Sequence, residues 1–122
     1  MAVSPSHLSQ IGIPVANLER AKHFYGESLG LPHLFDAPPG LAFFQCGPTR
    51  LMLSNTEAPV EGGAMLFFAV PSARDAQAML AATGAAFEED AHMLAIVGGK
   101  EIWLAATTDS EGNRIGLMSE EG

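Results

Sequence analysis

Four histidines (His7, His23, His33, His92), one cysteine (Cys46) and two arginines in matching contexts (Arg50, Arg114) are the side chains of this 122-residue chain best suited to chemistry. Histidine titrates nearest to working pH and can move a proton or hold a ligand. His92 alternates with Leu94 and Ile96 in the run FEEDAHMLAIV (87–97). It reads either as an edge or core histidine held by a hydrogen bond or as a pocket acid/base, with Glu88 or Glu101 as its acidic partner. His33 reads as a surface strand residue, His23 as a helix-face residue and His7 as part of a frayed terminus. Cys46 lacks an adjacent basic residue to lower its pKa and reads as a small buried hydrophobe. A single cysteine excludes an internal disulfide and a thiolate zinc site. Arg50 and Arg114 read as rim residues paired with carboxylates, or as forks for a ligand carboxylate or phosphate. Trp103 alternates with Glu101 and Ala105, and either packs in a core or dimer contact or stacks on a flat ligand. Of Phe43, Phe44 and Phe67, at least one is expected to line a pocket.

The elements that must position these residues repeat. Asn17 caps a helix carrying Leu18, Ala21, Tyr25 and Leu29 at helical spacing, and Gly30 closes it. Ser72, with Asp75 three residues on, caps a second helix whose stripe is Ala73, Ala76 and Leu80, closed by Gly84. Each helix follows a strand-like run, QIGIPV (10–15) or MLFFAV (65–70). Each precedes three more: HLFDAPPG, LAFFQCGP and TRLMLS, then FEEDAHMLAIV, KEIWLAAT and RIGLMS. The order is β-α-β-β-β, twice, with R-L-M-L (50–53) matching R-I-G-L (114–117). Module one spans about 7–55, a linker about 56–63 and module two about 64–120, within one domain of 1–122.

Period 2 sorts the strand residues by face. Ile11, Ile13, Val15, Leu51, Leu53, Leu66, Phe68, Val70, Ile115 and Leu117 should lie against the helices. Gln10, Gly12, Arg50, Met52, Met65, Phe67, Arg114, Gly116 and Met118 share the other face. A helix-free face bearing Met and Phe must be closed by curvature, a ligand or a partner, and the expectation is a concave, mainly apolar pocket. Gly116 stands out, because glycine inside a strand marks a bulge or a close approach. Asp109, Gly112 and Asn113 read as turn-formers.

Composition narrows the function. A hydrophobic fraction of 48% with 16% charged residues argues for a packed core. A formal charge of −8, with six basic residues scattered along the chain, leaves no footprint for nucleic acid. No apolar run reaches the ~18 residues of a membrane span, and MAVSPSHLSQ lacks the pattern of a signal peptide. The expected setting is the cytoplasm, with a small molecule or a protein as partner.

The stretches N-L-E-R-A-x-x-F-Y-x-x-x-L-G-L (17–31) and D-S-E-G-N-R-I-G-L (109–117), set in paired β-α-β-β-β units, resemble the vicinal oxygen chelate superfamily. That superfamily contains glyoxalase I, bleomycin-resistance proteins and extradiol dioxygenases. The resemblance implies an α+β fold of two βαβββ modules whose curled sheets form a cleft, often assembled as a homodimer. In metal-dependent relatives two ligands come from the first strand of each unit and two from the last, usually His or Gln, Glu, His and Glu. The matching residues here are Gln10, Met52, Met65 and Gly116. Only Gln10 could be a ligand to a divalent ion, so the expectation is no metal and no cofactor.

The reading is therefore a metal-independent binder of a small apolar or aromatic molecule, with Gln10, Phe43, Arg50, Met52, Met65, Phe67, His92, Trp103, Arg114 and Gly116 as candidate ligand contacts. One alternative is a lyase, isomerase or dioxygenase with a displaced metal site or metal-free acid/base chemistry by His92. A second is a structural dimerisation module.

Overall fold

The computed structural model describes residue 4 and residues 8–56 and 65–122. His7 and positions 57–63 of the expected linker lie outside the described residues.

Two compact units, residues 1–61 and 62–122, divide the chain. The first runs β1 (Gln10–Val15), α1 (Leu18–His23) with a π-helical turn (Phe24–Ser28), β2 (His33–Ala37), β3 (Leu41–Cys46) and β4 (Thr49–Asn55). The second runs β5 (Leu66–Ala69), α2 (Ala73–Ala82), β6 (Phe87–Val97), β7 (Lys100–Thr108) and β8 (Arg114–Glu121). Each unit builds one four-stranded sheet, in the order β1-β4-β3-β2 and β5-β8-β7-β6. In both, the first strand lies parallel to the last and the other pairs are antiparallel. A parallel pair needs a crossover, and the intervening helix and hairpin provide it. The fold is α+β, with two βαβββ modules.

Both helix starts follow from their caps. The Asn17 Oδ1 accepts from Arg20 N at 3.0 Å, and the Ser72 Oγ accepts from Asp75 N at 3.1 Å. Gly30 and Gly84 follow the helical turns at φ +82° and +102°, the left-handed conformation expected of a closing glycine. The first helix departs from its expected regular course. After His23 it widens, and the Leu29 N–H donates to the Phe24 carbonyl at 2.8 Å, a five-residue step. Phe24 and Tyr25, three and four residues after Ala21, are buried together with it, while Leu18 and Leu29 stay half-buried. The rings of Phe24 and Tyr25 meet edge-on at 5.2 Å.

The sheet faces sort as period 2 requires. Ile13, Val15, Leu51 and Leu53 are buried in the first unit, and Phe68, Ile115 and Leu117 in the second; Ile11, Leu66 and Val70 are half-buried. Phe44 belongs to the helix side, since a Cβ on Gly26 would meet its ring at 3.2 Å. Phe43, next along β3, therefore takes the helix-free side.

Two further details set strand positions in the second unit. Asp109 organises the turn into β8, its Oδ1 accepting from the backbone N–H of both Glu111 and Asn113 at 2.8 Å. The Asn113 side chain donates to its Oδ2 at 2.9 Å, and Gly112 takes φ +85°. Strand β6 pairs irregularly with β7, with register shifts between Phe87 and Glu89, Glu89 and His92, and Met93 and Ala95. His92 lies opposite Leu104, but beyond the last shift Ile96 lies opposite Glu101. The bulge puts Ile96 on the other face from His92, against the simple alternation, because one extra residue reverses every facing beyond it. No described helix is long and apolar enough to cross a membrane.

Candidate functional site

The helix-free face of the first sheet is built across its strands. Gln10 on β1 lies beside Arg50 on β4, and Gly12 beside Met52. Met52 lies beside Phe43 on β3, and Phe43 beside Phe35 on β2. The Arg50 Nε donates to Gln10 Oε1 at 2.9 Å, and the Gln10 Nε2 lies 3.7 Å from the Met52 sulfur, which it meets as a weak acceptor. The Arg50 guanidinium sits 5.4 Å from the centroid of Phe43, whose ring stacks on Phe35 at 4.5 Å with 25° between planes. Phe43 is buried beneath this group and Phe35 is 45% exposed. Phe35 escaped the sequence reading, because its place beside Phe43 depends on the β2–β3 register shift between His33 and Phe35.

The equivalent row in the second sheet has a different chemistry. Phe67 on β5 lies beside Gly116 on β8, Gly116 beside Ala106 on β7, and Ala106 beside Glu89 on β6. A Cβ on Gly116 would fall 2.5 Å from Phe67 Cδ1, 2.7 Å from its Cε1 and 3.3 Å from the Met65 methyl. Phe67 thus lies over the glycine and fills the room that its missing side chain leaves. The first unit shows the converse arrangement, with Met52 reaching over Gly12 at 3.5 Å from an added Cβ. In each parallel pair one large apolar residue covers one glycine, with the strands exchanged. Arg114 is neutralised by Glu88, Nε to Oε2, at 3.2 Å.

His92 shares this face with Leu104 and Met118 through direct pairing. Its Nδ1 donates to the Asp90 carbonyl at 2.8 Å, so in the neutral ring Nε2 carries the lone pair. Neither expected acidic partner is free for it: Glu88 pairs with Arg114, and Glu101 accepts from the Trp103 Nε1 at 2.9 Å. Trp103 is not brought to this face. It pairs with Ser119, whose hydroxyl accepts from the Ala73 N–H at the start of α2, and Arg74 of α2 lies over its ring at 4.0 Å. Arg74 also binds Glu121 at 2.8 Å, and the Ser119 hydroxyl, then Arg74, hold the Glu121 carboxyl below its ordinary value.

A shallow concavity of about 380 Å³ lies on the helix side of the first unit, lined by Glu19, Lys22, His23, Gly26, Glu27, His33 and Phe44. At its rim Asp36 takes Lys22 Nζ on Oδ2 and His33 Nε2 on Oδ1, each at 2.7 Å. Lys22 first, then His33, hold the Asp36 carboxyl below its ordinary value, and Asp36 raises Lys22 in return. These charges satisfy one another and fasten β2 to α1. Cys46 is a half-buried free thiol. Among the described residues no three His, Cys, Asp or Glu side chains come together as a metal site.

Residues 7–117 match the model of the glyoxalase/bleomycin resistance protein/dioxygenase superfamily. The chain belongs to that superfamily. Solved structures agree in fold. A lactoylglutathione lyase from Agrobacterium tumefaciens is 20% identical, with a TM-score of 0.77 over 94% of each chain. A protein assigned to the glyoxalase family from Bacillus anthracis is 20% identical, with a TM-score of 0.81 over 99% of this chain and 100% of that one. A superfamily member from Sphaerobacter thermophilus is also 20% identical, with a TM-score of 0.76 over 95% and 98%. No curated protein sequence matches the chain. At these identities the likeness describes fold and leaves reaction open.

The four positions matching the metal ligands of metal-dependent relatives do not fit a divalent cation. The Gln10 oxygen already accepts from a guanidinium, and a dication on the same oxygen would place like charges side by side. Met52 and Met65 present thioethers, which suit soft ions. At Gly116 the place of a carboxylate holds the Phe67 ring.

Proposed function

We propose that this chain binds a small apolar or aromatic molecule on the helix-free sheet faces, without a metal ion. The observation that carries the reading is the replacement of a ligand quartet by an Arg50–Gln10–Met52 chain and a Phe67-covered glycine. In the first unit the contacts proposed are Gln10, Phe43, Arg50 and Met52; in the second they are Met65, Phe67 and His92, with Gly116 as the seat of the Phe67 ring. The whole chain acts as one cytoplasmic domain of two modules and assembles as a homodimer.

The test is a thermal-shift screen of apolar and aromatic compounds with and without a chelator. A ligand at 100 times its dissociation constant adds about 2.7 kcal/mol of stability, and the shift should survive the chelator. Stoichiometric retention of Zn²⁺, Ni²⁺, Mn²⁺ or Fe²⁺ by untagged protein, abolished by Gln10→Ala, would overturn metal independence. Stabilisation by no compound would favour the structural dimerisation module. No observation favours the enzymatic alternative, since Glu88 and Glu101 are engaged away from His92.

A further inference from the structure

We propose that the ligand is an aromatic carboxylate, bound in the first unit with its carboxylate on Arg50 and its ring against Phe35 and Phe43. The proposal rests on the reading of that face as a small-molecule site and adds the chemical class and the place.

Charge is the first ground. The chain has 14 acidic and 6 basic residues, so a cation without a carboxylate partner runs against its composition. Lys22, Arg74 and Arg114 each have a carboxylate oxygen within 3.2 Å. Arg50 is exposed and makes a different set of contacts: its Nε donates to the neutral Gln10 amide, and its plane lies near the Phe43 ring. Gln10 uses only the Nε position. Among the described residues no carboxylate pairs with either terminal nitrogen, and the Nη1–Nη2 edge of a guanidinium matches two carboxylate oxygens. A neutral acceptor on Nε orients the group without cancelling its charge, as an anion site needs.

The repeat supplies a second, independent ground. Arg50, second in β4, and Arg114, first in β8, occupy equivalent positions, each two residues before the Met52 or Gly116 of its row. Beside Arg50 the cross-strand row is Phe35, Phe43, Met52 and Gly12. Beside Arg114 it is Glu89, Ala106, Gly116 and Phe67. The first row offers a stacked pair of rings next to an uncancelled cation. The second places a carboxylate where Phe35 stands and a methyl where Phe43 stands, and Glu88 cancels its arginine. An aromatic anion therefore has both of its features met in the first unit, and it meets repulsion in the second. Stacked rings accept a flat apolar body, and an arginine beside them accepts its charge.

The experiment titrates the full chain by calorimetry with 2-naphthoate and with its neutral analogue 2-naphthalenemethanol. The expected result is at least tenfold tighter binding of the naphthoate than of the alcohol, with that preference lost in Arg50→Gln. Arg50→Lys keeps charge but not the planar fork, and should retain only part of the preference. Phe35→Ala should weaken both compounds. Equal binding of acid and alcohol overturns the carboxylate site while leaving the apolar reading intact. Loss of the preference in Arg114→Gln and not in Arg50→Gln overturns its location. Failure of both compounds to bind overturns this proposal, while the small-molecule reading then stands or falls with the thermal-shift screen. Circular dichroism melting of each variant identifies any loss that comes from unfolding, and in that case Arg50→Lys decides.

Discussion

Gly116 shows how a residue conspicuous in sequence acquires its reason from a neighbour that sequence does not reveal. The alternation of RIGLM predicts a strand, and a glycine inside it predicts close approach. What approaches is Phe67, one strand away across a parallel pair that joins residues far apart in the chain. The same pairing gives Gly12 its Met52. Register decided both, and register in a parallel pair is set by tertiary packing. Gly116→Ala would force a methyl into a ring 2.5 Å away. The ring is 53% exposed and can yield outward, so the cost should fall at the lower end of the ~1–3 kcal/mol typical of overpacking. In a Phe67→Ala background the same change should cost less by at least ~0.5 kcal/mol, the coupling of residues in contact. Urea denaturation of the four proteins measures this. Additive costs would mean that the ring does not sit over the glycine in solution.

Among the elements, local features were legible and non-local ones were not. Asn17 and Ser72 were readable as caps because the capping bond spans three residues. The eight strands followed from alternation and turn residues, and the Asp109–Asn113 turn from its composition. The π-helical turn after His23 and the bulges of β6 escaped, since each adds a residue and shifts the phase that pattern reading relies on. Trp103 was expected as a possible ligand contact, whereas Arg74 and the Ser119 pairing place it on the α2 side. The start of α2 separates the two kinds of support. Ser72→Ala should cost about 1 kcal/mol, as for a lost cap. Ser119→Ala should cost about 1–3 kcal/mol, because it leaves the Ala73 N–H without its partner in a buried place. Equilibrium denaturation checks both, and a Ser119→Ala variant as stable as the wild type would mean that water reaches that N–H. At the β2–α1 contact, Asp36→Asn should cost less than about 1 kcal/mol, since the pair is on the surface. The folded Asp36 carboxyl titrates below its ordinary value because of Lys22 and His33. Its contribution is therefore complete above the ordinary carboxylate value and lost as pH falls through the lower, folded one. Melting temperatures of wild type and Asp36→Asn should differ near neutral pH and converge in strong acid. A gap that persists in acid would assign the effect to something other than this carboxylate.

For the molecule as a whole, the two copies of one topology have kept the same strand order and diverged in what each presents. The first carries an aromatic–arginine row in which Phe35 and Arg50 are exposed over a buried Phe43, and the second a ring-covered glycine with a cancelled arginine. Each sheet has two edge strands, β1 and β2 in the first and β5 and β6 in the second. From Met93 to Val97, β6 contains no charged residue, and Met93, Leu94, Ile96 and Val97 are all exposed, Ile96 at 65%. Proteins that stay apart usually protect such an edge with lysine, proline or a covering segment. Its bulges twist β6, but they leave the apolar end of the hairpin uncovered. A second copy of the chain is the partner always present at matched concentration, and a two-fold contact closes on itself. Light scattering at micromolar concentration should therefore give twice the chain mass of 12.8 kDa. The pair of changes Leu94→Lys and Ile96→Lys should give the single-chain mass with an unchanged circular dichroism spectrum, because neither side chain is part of the buried core. A wild-type monomer would end the homodimer proposal. A double variant that stays dimeric would place the contact away from the β6–β7 hairpin, and the β2 edge, with Leu34 and Phe35 exposed, would be the next surface to charge. In that second case naphthoate affinity would fall with dimerisation, since Phe35 cannot serve both a ligand and a partner.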